Sequence, residues 1–190
     1  MVVCSARSTY NKEEGTTSRI LKVCDLIQQY SMNNDDEVKE IIGLIRSDHI
    51  NNAKLNIKDQ ELQKELIEKT EDEFKKIDSY IQASMILGEV STRTKDLLLS
   101  LGEKLSCLFI TYKCKVVGLD SEYVDLSNIM SLQIDEDEEF KFNKNGTLGT
   151  ASYENLVSKL RFRLKDIVDY NNSTTGKYRV PIITGFFGFL

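Results

Sequence analysis

One carboxylate stands out. Glu103 follows Gly102 in the segment Ser91 to Cys114, where Leu97, Leu101, Leu105 and Leu108 form one helical face and Leu99, Cys107 and Ile110 lie nearly opposite. A helix that is apolar almost all round is buried on several sides. An isolated ionised carboxylate is costly there, so Glu103 needs either a partner or a chemical task. Its structural alternatives are helix N-terminal amides or the Arg93 guanidinium. Two further clusters carry chemistry-bearing groups. Ser5-Ala6-Arg7-Ser8 offers hydroxyls and a cation, and Gly185-Phe186-Phe187-Gly188 offers glycines that permit close backbone approach. Arg7 either faces a site or pairs with Glu13 or Glu14. Gly185 and Gly188 can equally form a plain strand-end turn.

These residues need a scaffold, and 190 residues suit one domain or a large part of one. Apolar residues make up 41% and charged residues 29%, which excludes wholesale disorder. The net charge of −5 argues against a generic nucleic-acid binder, so no nucleic acid is expected. No apolar run approaches the roughly 18 residues of a membrane span, and no membrane partner is expected. Cys4, Cys24, Cys107 and Cys114 are widely spaced, mostly in apolar runs. That pattern implies free thiols in a reducing, cytoplasmic compartment, not a disulfide framework, and no metal-ligand spacing is visible.

Val2-Val3-Cys4 has the apolar, β-favouring character of a buried parallel strand. Thr16, Thr17 or Ser18 is expected to cap a helix carrying Ile20, Val23, Cys24 and Ile27. A helix with Val38, Ile41, Ile42, Ile45 and His49 on one face follows, and His49 reads as a partly buried structural residue. Another helix spans about Asp59 to Leu87, with Glu65–Lys69, Glu71–Lys75 and Asp72–Lys76 pairs on a solvated face. Val116 to Gly118 and Tyr123 to Leu126 are predicted strands. The run Asp135 to Glu139 is an expected loop, with a possible hairpin at Asn145-Gly146. Ala151 to Tyr170 is an amphipathic helix, and Pro181 opens a last strand. The alternation implies an α/β fold with a mostly parallel sheet covered on both faces. Ligands then belong beyond the carboxyl ends of the strands, where the Ser5 and Gly185 loops lie.

The same residues carry a family resemblance. Val2 to Ser8 and Glu14-Gly15-Thr16-Thr17-Ser18-Arg19 resemble the segment after the second strand of aspartate kinases of the fungal type. Gly88 to Thr94 and Ser100-Leu101-Gly102-Glu103-Lys104-Leu105-Ser106 resemble the family's helix with its Ser-x-Gly-Glu signature. Tyr123 to Ser127 is similar to its next strand, and Ile183 to Gly188 to its Gly-Phe-x-Gly loop. The ordered set covers nearly the whole chain.

The resemblance implies the amino-acid kinase fold, a three-layer α/β/α sandwich, incomplete here. It implies transfer of the ATP γ-phosphoryl group to the β-carboxylate of L-aspartate, the first step toward lysine, threonine, methionine and isoleucine. ATP and Mg²⁺ are the implied cofactors, L-aspartate the partner, and the complete protein a homo-oligomer. Carried over residue by residue, Ser5, Thr17 and Gly185 line the aspartate site and Glu103 binds the substrate α-ammonium, with Arg7 and Gly188 as further candidates. Ser5 and Thr17 remain compatible with a turn serine and a helix-capping threonine. The family's opening Lys-Phe-Gly-Gly-Thr-Ser strand and its later Gly-Arg-Gly-x-[ST]-Asp motif have no counterpart. The chain is therefore expected to be an internal piece of a catalytic domain, inactive and association-prone by itself. Two other readings stand beside this one: a non-catalytic interaction module, and an amino-acid kinase for another substrate such as acetylglutamate or uridylate. The Gly-Glu helix and the Ser-Ala-Arg-Ser loop argue against the latter.

Overall fold

The computed structural model describes residues 1–8, 11–29, 34–132, 149–173, 176 and 178–185. Strand β1 is Val2–Cys4. Helices α1 (Thr16–Gln28), α2 (Asn34–Asn56), α3 (Gln60–Leu87) and α4 (Thr92–Val116) follow, then β2 (Ser121–Val124), α5 (Thr150–Ser173) and β3 (Val180–Thr184). The result is an α/β fold, mostly helical, with one small parallel sheet ordered β1-β3-β2. Val2, Val3 and Cys4 register with Ile182, Ile183 and Thr184, and Tyr123 and Val124 register with Ile182 and Ile183. All three strands therefore end at the same side of the molecule.

Local chemistry sets the helix ends. The Asp59 side chain accepts hydrogen bonds from the Glu61 and Leu62 amides, both at 3.0 Å, and so fixes the start of α3. Gly88 ends that helix at φ +68°, a left-handed conformation that glycine adopts without steric penalty. Ser91 Oγ accepts from the Thr94 amide at 3.1 Å and starts α4. At α1 the expectation fails: Gly15 occupies the capping position, Thr16 is already helical, and no side chain caps the first turn.

Helix α4 packs against all three strands and against α1 and α3. Leu98, Leu101 and Leu105 join Ile20, Val23, Ile41, Ile45, Phe74 and Ile77 in the main core. Its apolar circumference is thus explained: it lies between the sheet and the other helices. Ile183 points away from that core, into a second one with Val124, Leu126, Leu156 and Ile167. Successive strand residues face opposite sides, so the sheet separates two apolar clusters.

Five local expectations are corrected. Val116 to Gly118 is not a strand. Helix α4 continues through Val116 and closes in a turn at Gly118, φ +79°, whose amide donates to Lys115 O. The later strand runs Ser121–Val124, not Tyr123 to Leu126. β1 is parallel but not buried: it lies at the sheet edge, and Val3 is 58% exposed. On α3, Lys75 pairs with Asp72 and Lys76 with Glu73 at i,i+3, and the i,i+4 pair is Lys64 with Glu68, in base-then-acid order. Pro181 is the second residue of a central strand; it precedes the β1 pairing, which begins at Ile182. The Asp135–Glu139 run and the Asn145-Gly146 hairpin lie outside the described residues.

Two glycines on helices behave oppositely. A methyl group on Gly102 would lie 2.7 Å from Ala6 Cβ and 3.3 Å from Thr16 Cγ2, whereas one on Gly43 meets nothing within 4 Å. Gly102→Ala is expected to lower stability by about 1–3 kcal/mol, because Ala6 Cβ moves only with its backbone. Gly43→Ala is expected to raise it by about 0.5–1 kcal/mol through helix propensity. Urea denaturation of the two variants checks both signs.

Candidate functional site

Four segments converge where the strands end. β1 delivers Ser5, Ala6 and Arg7; α1 delivers Thr16 and Thr17 at its first turn; α4 delivers Gly102 and Glu103; β3 delivers Thr184 and Gly185. The Glu103 carboxylate lies directly against Gly185: a methyl group there would sit 3.5 Å from Oε2 and 3.6 Å from Oε1. The same position is 3.6 Å from Val3 Cγ1. Glu103 is thus partly buried at the carboxyl end of the β1–β3 pair, against Gly185, and not on a remote rim.

Ser5 and Thr17 are exposed, and Arg7 is half-buried. The Arg7 carbonyl accepts from the Thr16 amide at 3.5 Å, joining the β1 loop to α1. The structure brings Ser5, Arg7, Thr17, Glu103 and Gly185 to one end of the sheet. Gly188 lies outside the described residues.

Three features escaped the sequence pattern. The first is His49. It is buried, and its Nε2 lies 3.2 Å from Thr16 Oγ1. Burial, reinforced by the Arg7 charge, lowers its pKa from the ordinary 6.5 to about 4. The second is a half-buried ion cluster. Lys104 Nζ lies 3.0 Å from Asp125 and 3.9 Å from Glu73, and Glu73 also binds Lys76 at 2.6 Å. Burial pushes the Asp125 carboxyl up, but the Ser127 amide and Lys104 outweigh it, and the net direction is down. A signal existed for both residues, since Lys104 adjoins Glu103 and Asp125 follows a strand. The third is a thiol pair. Cys4 and Cys107 share a hydrogen bond, and burial pushes both thiols up. All four cysteines are free.

No family-level profile matches the chain. Comparison with individual proteins is decisive. The chain is 43% identical to an aspartokinase of Saccharomyces cerevisiae over 189 residues, which is all of the chain and 32% of that protein. It is homologous to the fungal aspartokinases over its whole length. An aspartokinase of Candida albicans is 35% identical over 98% of the chain, and one of Schizosaccharomyces pombe 34% identical over 100%. The chain spans about a third of the length of these aspartokinases. Among the described residues, no helix is long and apolar enough to cross a membrane.

The depressed His49 pKa sets a pH dependence of folding. Above pH 6.5 the imidazole is neutral in both the folded and unfolded chain and the stability is fully present. As the pH falls below 6.5 the unfolded chain takes up a proton that the folded one refuses until about pH 4. Over that window the wild type should lose about 3 kcal/mol relative to His49→Gln, at ~1.4 kcal/mol per unit. Paired urea titrations at pH 7 and pH 4.5 measure the difference.

Proposed function

We propose that this chain forms the aspartate-binding part of an aspartate kinase, which transfers the ATP γ-phosphoryl group to the β-carboxylate of L-aspartate to give 4-phospho-L-aspartate. The observation that carries the proposal is the Glu103 carboxylate seated on Gly185 at the carboxyl end of the sheet. This is the expected ligand position for such sheets. The names of the similar proteins support the activity.

In this reading Glu103 accepts hydrogen bonds from the substrate α-ammonium. A partly buried carboxylate attracts a cation more strongly than one in bulk water. Ser5 and Thr17 donate hydroxyl hydrogen bonds to the substrate's carboxylates, aided by the positive end of the α1 dipole. Gly185 lets the backbone approach the amino acid, and Arg7 supplies positive charge at the anionic side. Phosphoryl transfer depends mainly on such positioning and charge neutralisation.

The fit to Mg²⁺ is different. Among the described residues, no group of three or more His, Cys, Asp or Glu side chains is placed to hold a metal ion. Asp125 and Glu73 are engaged with lysines. The proposal therefore leaves ATP and Mg²⁺ to residues other than these, in relatives about three times as long. It extends to a three-layer α/β/α sandwich in the whole protein, a cytoplasmic location, homo-oligomers, and a role at the head of lysine, threonine, methionine and isoleucine synthesis.

Glu103→Gln removes the charge and keeps the shape. In the whole protein it should lower kcat/KM for L-aspartate by about 10²-fold or more, the scale for losing one partner of a desolvated charge pair, while the KM for ATP stays within about twofold. Aspartyl-phosphate assayed by hydroxamate formation reads this out. An unchanged kcat/KM for aspartate would defeat the assignment of Glu103 as the partner of the substrate α-ammonium.

A further inference from the structure

Thr16 occupies a singular place. Its amide reaches the Arg7 carbonyl in the loop after β1. Its Cβ and Cγ2 abut Gly102 on α4, at 3.5 and 3.3 Å from a methyl group built there. Its hydroxyl meets His49 Nε2 on α2 at 3.2 Å. The residue after it is Thr17, and the residue after Gly102 is Glu103. One buried residue thus touches the β1 loop through its amide and α4 and α2 through its side chain.

We propose that His49 is a positioning residue for the amino-acid site: by holding the Thr16 hydroxyl, it fixes the first turn of α1 and so sets Thr17 against Glu103. This rests on the reading of Glu103 and Thr17 as substrate-binding groups. The apolar contacts of Thr16 leave its hydroxyl as the polar group whose partner fixes the turn's rotation. The N-cap of α1 is Gly15, which has no side chain to cap that turn. The constraint comes from α2 instead. Both partners are 7% exposed, so little water competes for the bond.

The charged groups facing the imidazole are Arg7 from the β1 loop and Asp48 from its own helix. Asp48 is engaged by Arg19 of α1. That ion pair ties α1 to α2 one turn further along, so the His49–Thr16 bond closes the last free end of the α1–α2 contact.

The test uses the whole protein. His49→Leu and Thr16→Val each remove the bond while keeping the bulk, and His49→Gln keeps a side-chain nitrogen within reach of Thr16. Steady-state kinetics should show the KM for L-aspartate raised about fivefold in His49→Leu and Thr16→Val, the scale of one lost hydrogen bond. The KM for ATP should not move, and His49→Gln should stay within about twofold of wild type. A purely structural histidine predicts otherwise: lower melting temperatures with an unchanged aspartate KM, and that result overturns the inference. If His49→Leu fails to fold, Thr16→Val and His49→Gln carry the same comparison. Failure of the kinase reading looks different. A wild type that phosphorylates another amino acid, whose KM rises in Thr16→Val, removes aspartate as substrate and upholds His49. A wild type without phosphoryl transfer to any amino acid overturns both.

Discussion

Where α4 has no side chain, two distant parts of the chain press against it. Ala6 comes from the loop after β1 and Thr16 from the start of α1, and both fill the space that a Cβ at position 102 would claim. Close approach of this kind has two effects. It brings α4 onto the sheet edge and the helix layer at once, and it leaves the next residue little freedom. Glu103 then projects toward β1 and β3, where Gly185 again leaves room because it lacks a side chain. The carboxylate is held between two missing side chains. A methyl group at position 102 would press on Ala6, and packed interiors yield little to such pressure, whereas one at position 185 would meet the carboxylate at ordinary contact distance.

Consecutive residues on a helix point about 100° apart. Glu103 faces the β1–β3 pair, so Lys104 must face elsewhere, and it meets Asp125 after β2 and Glu73 on α3. Half-buried charges of both signs are thereby matched within that cluster. The ammonium nearest Glu103 in sequence is engaged with acids from other elements. The cluster also ties α3 to the end of β2, which stiffens the base on which Glu103 stands.

The helices were largely legible because their periodicity is strong: α3 begins one residue after its expected Asp59 and ends at Leu87 as expected. Strands fared worse for physical reasons. Val116 and Val117 favour extended structure by propensity, but a glycine able to adopt positive φ lets the α4 carbonyls be satisfied by a closing turn. β1 was taken as buried because valine usually is, yet it lies at the edge of a three-stranded sheet. The α1 start misled because Thr16 and Thr17 are good capping residues, whereas Thr16 is consumed by tertiary contacts to Gly102 and His49. The grouping of the Ser5 and Gly185 loops follows from a rule about strand ends, which needs only the parallel order, whereas Glu103 joins them only through the family resemblance. The Thr16–His49 bond did not follow, since it links residues 33 apart across two helices and no local pattern encodes such a pair.

Titratable groups around the site share one property. Burial pushes the Cys4 and Cys107 thiols and the Tyr123 hydroxyl up, and it pushes the His49 imidazole down. Each shift favours the neutral form at pH 7. The neutral Cys4 and Cys107 thiols therefore stand near Glu103, while Lys104, Asp125 and Glu73 balance among themselves. Neutral, poorly hydrated surroundings lower the effective dielectric and strengthen whatever charge pairing the carboxylate makes. In the proposed reading, a ligand that brings a cation with its own hydrogen-bond donors suits such surroundings. An α-ammonium has both, on a short rigid carbon frame. Burial of its neighbours thus favours an amino acid at Glu103 over a neutral ligand of the same size.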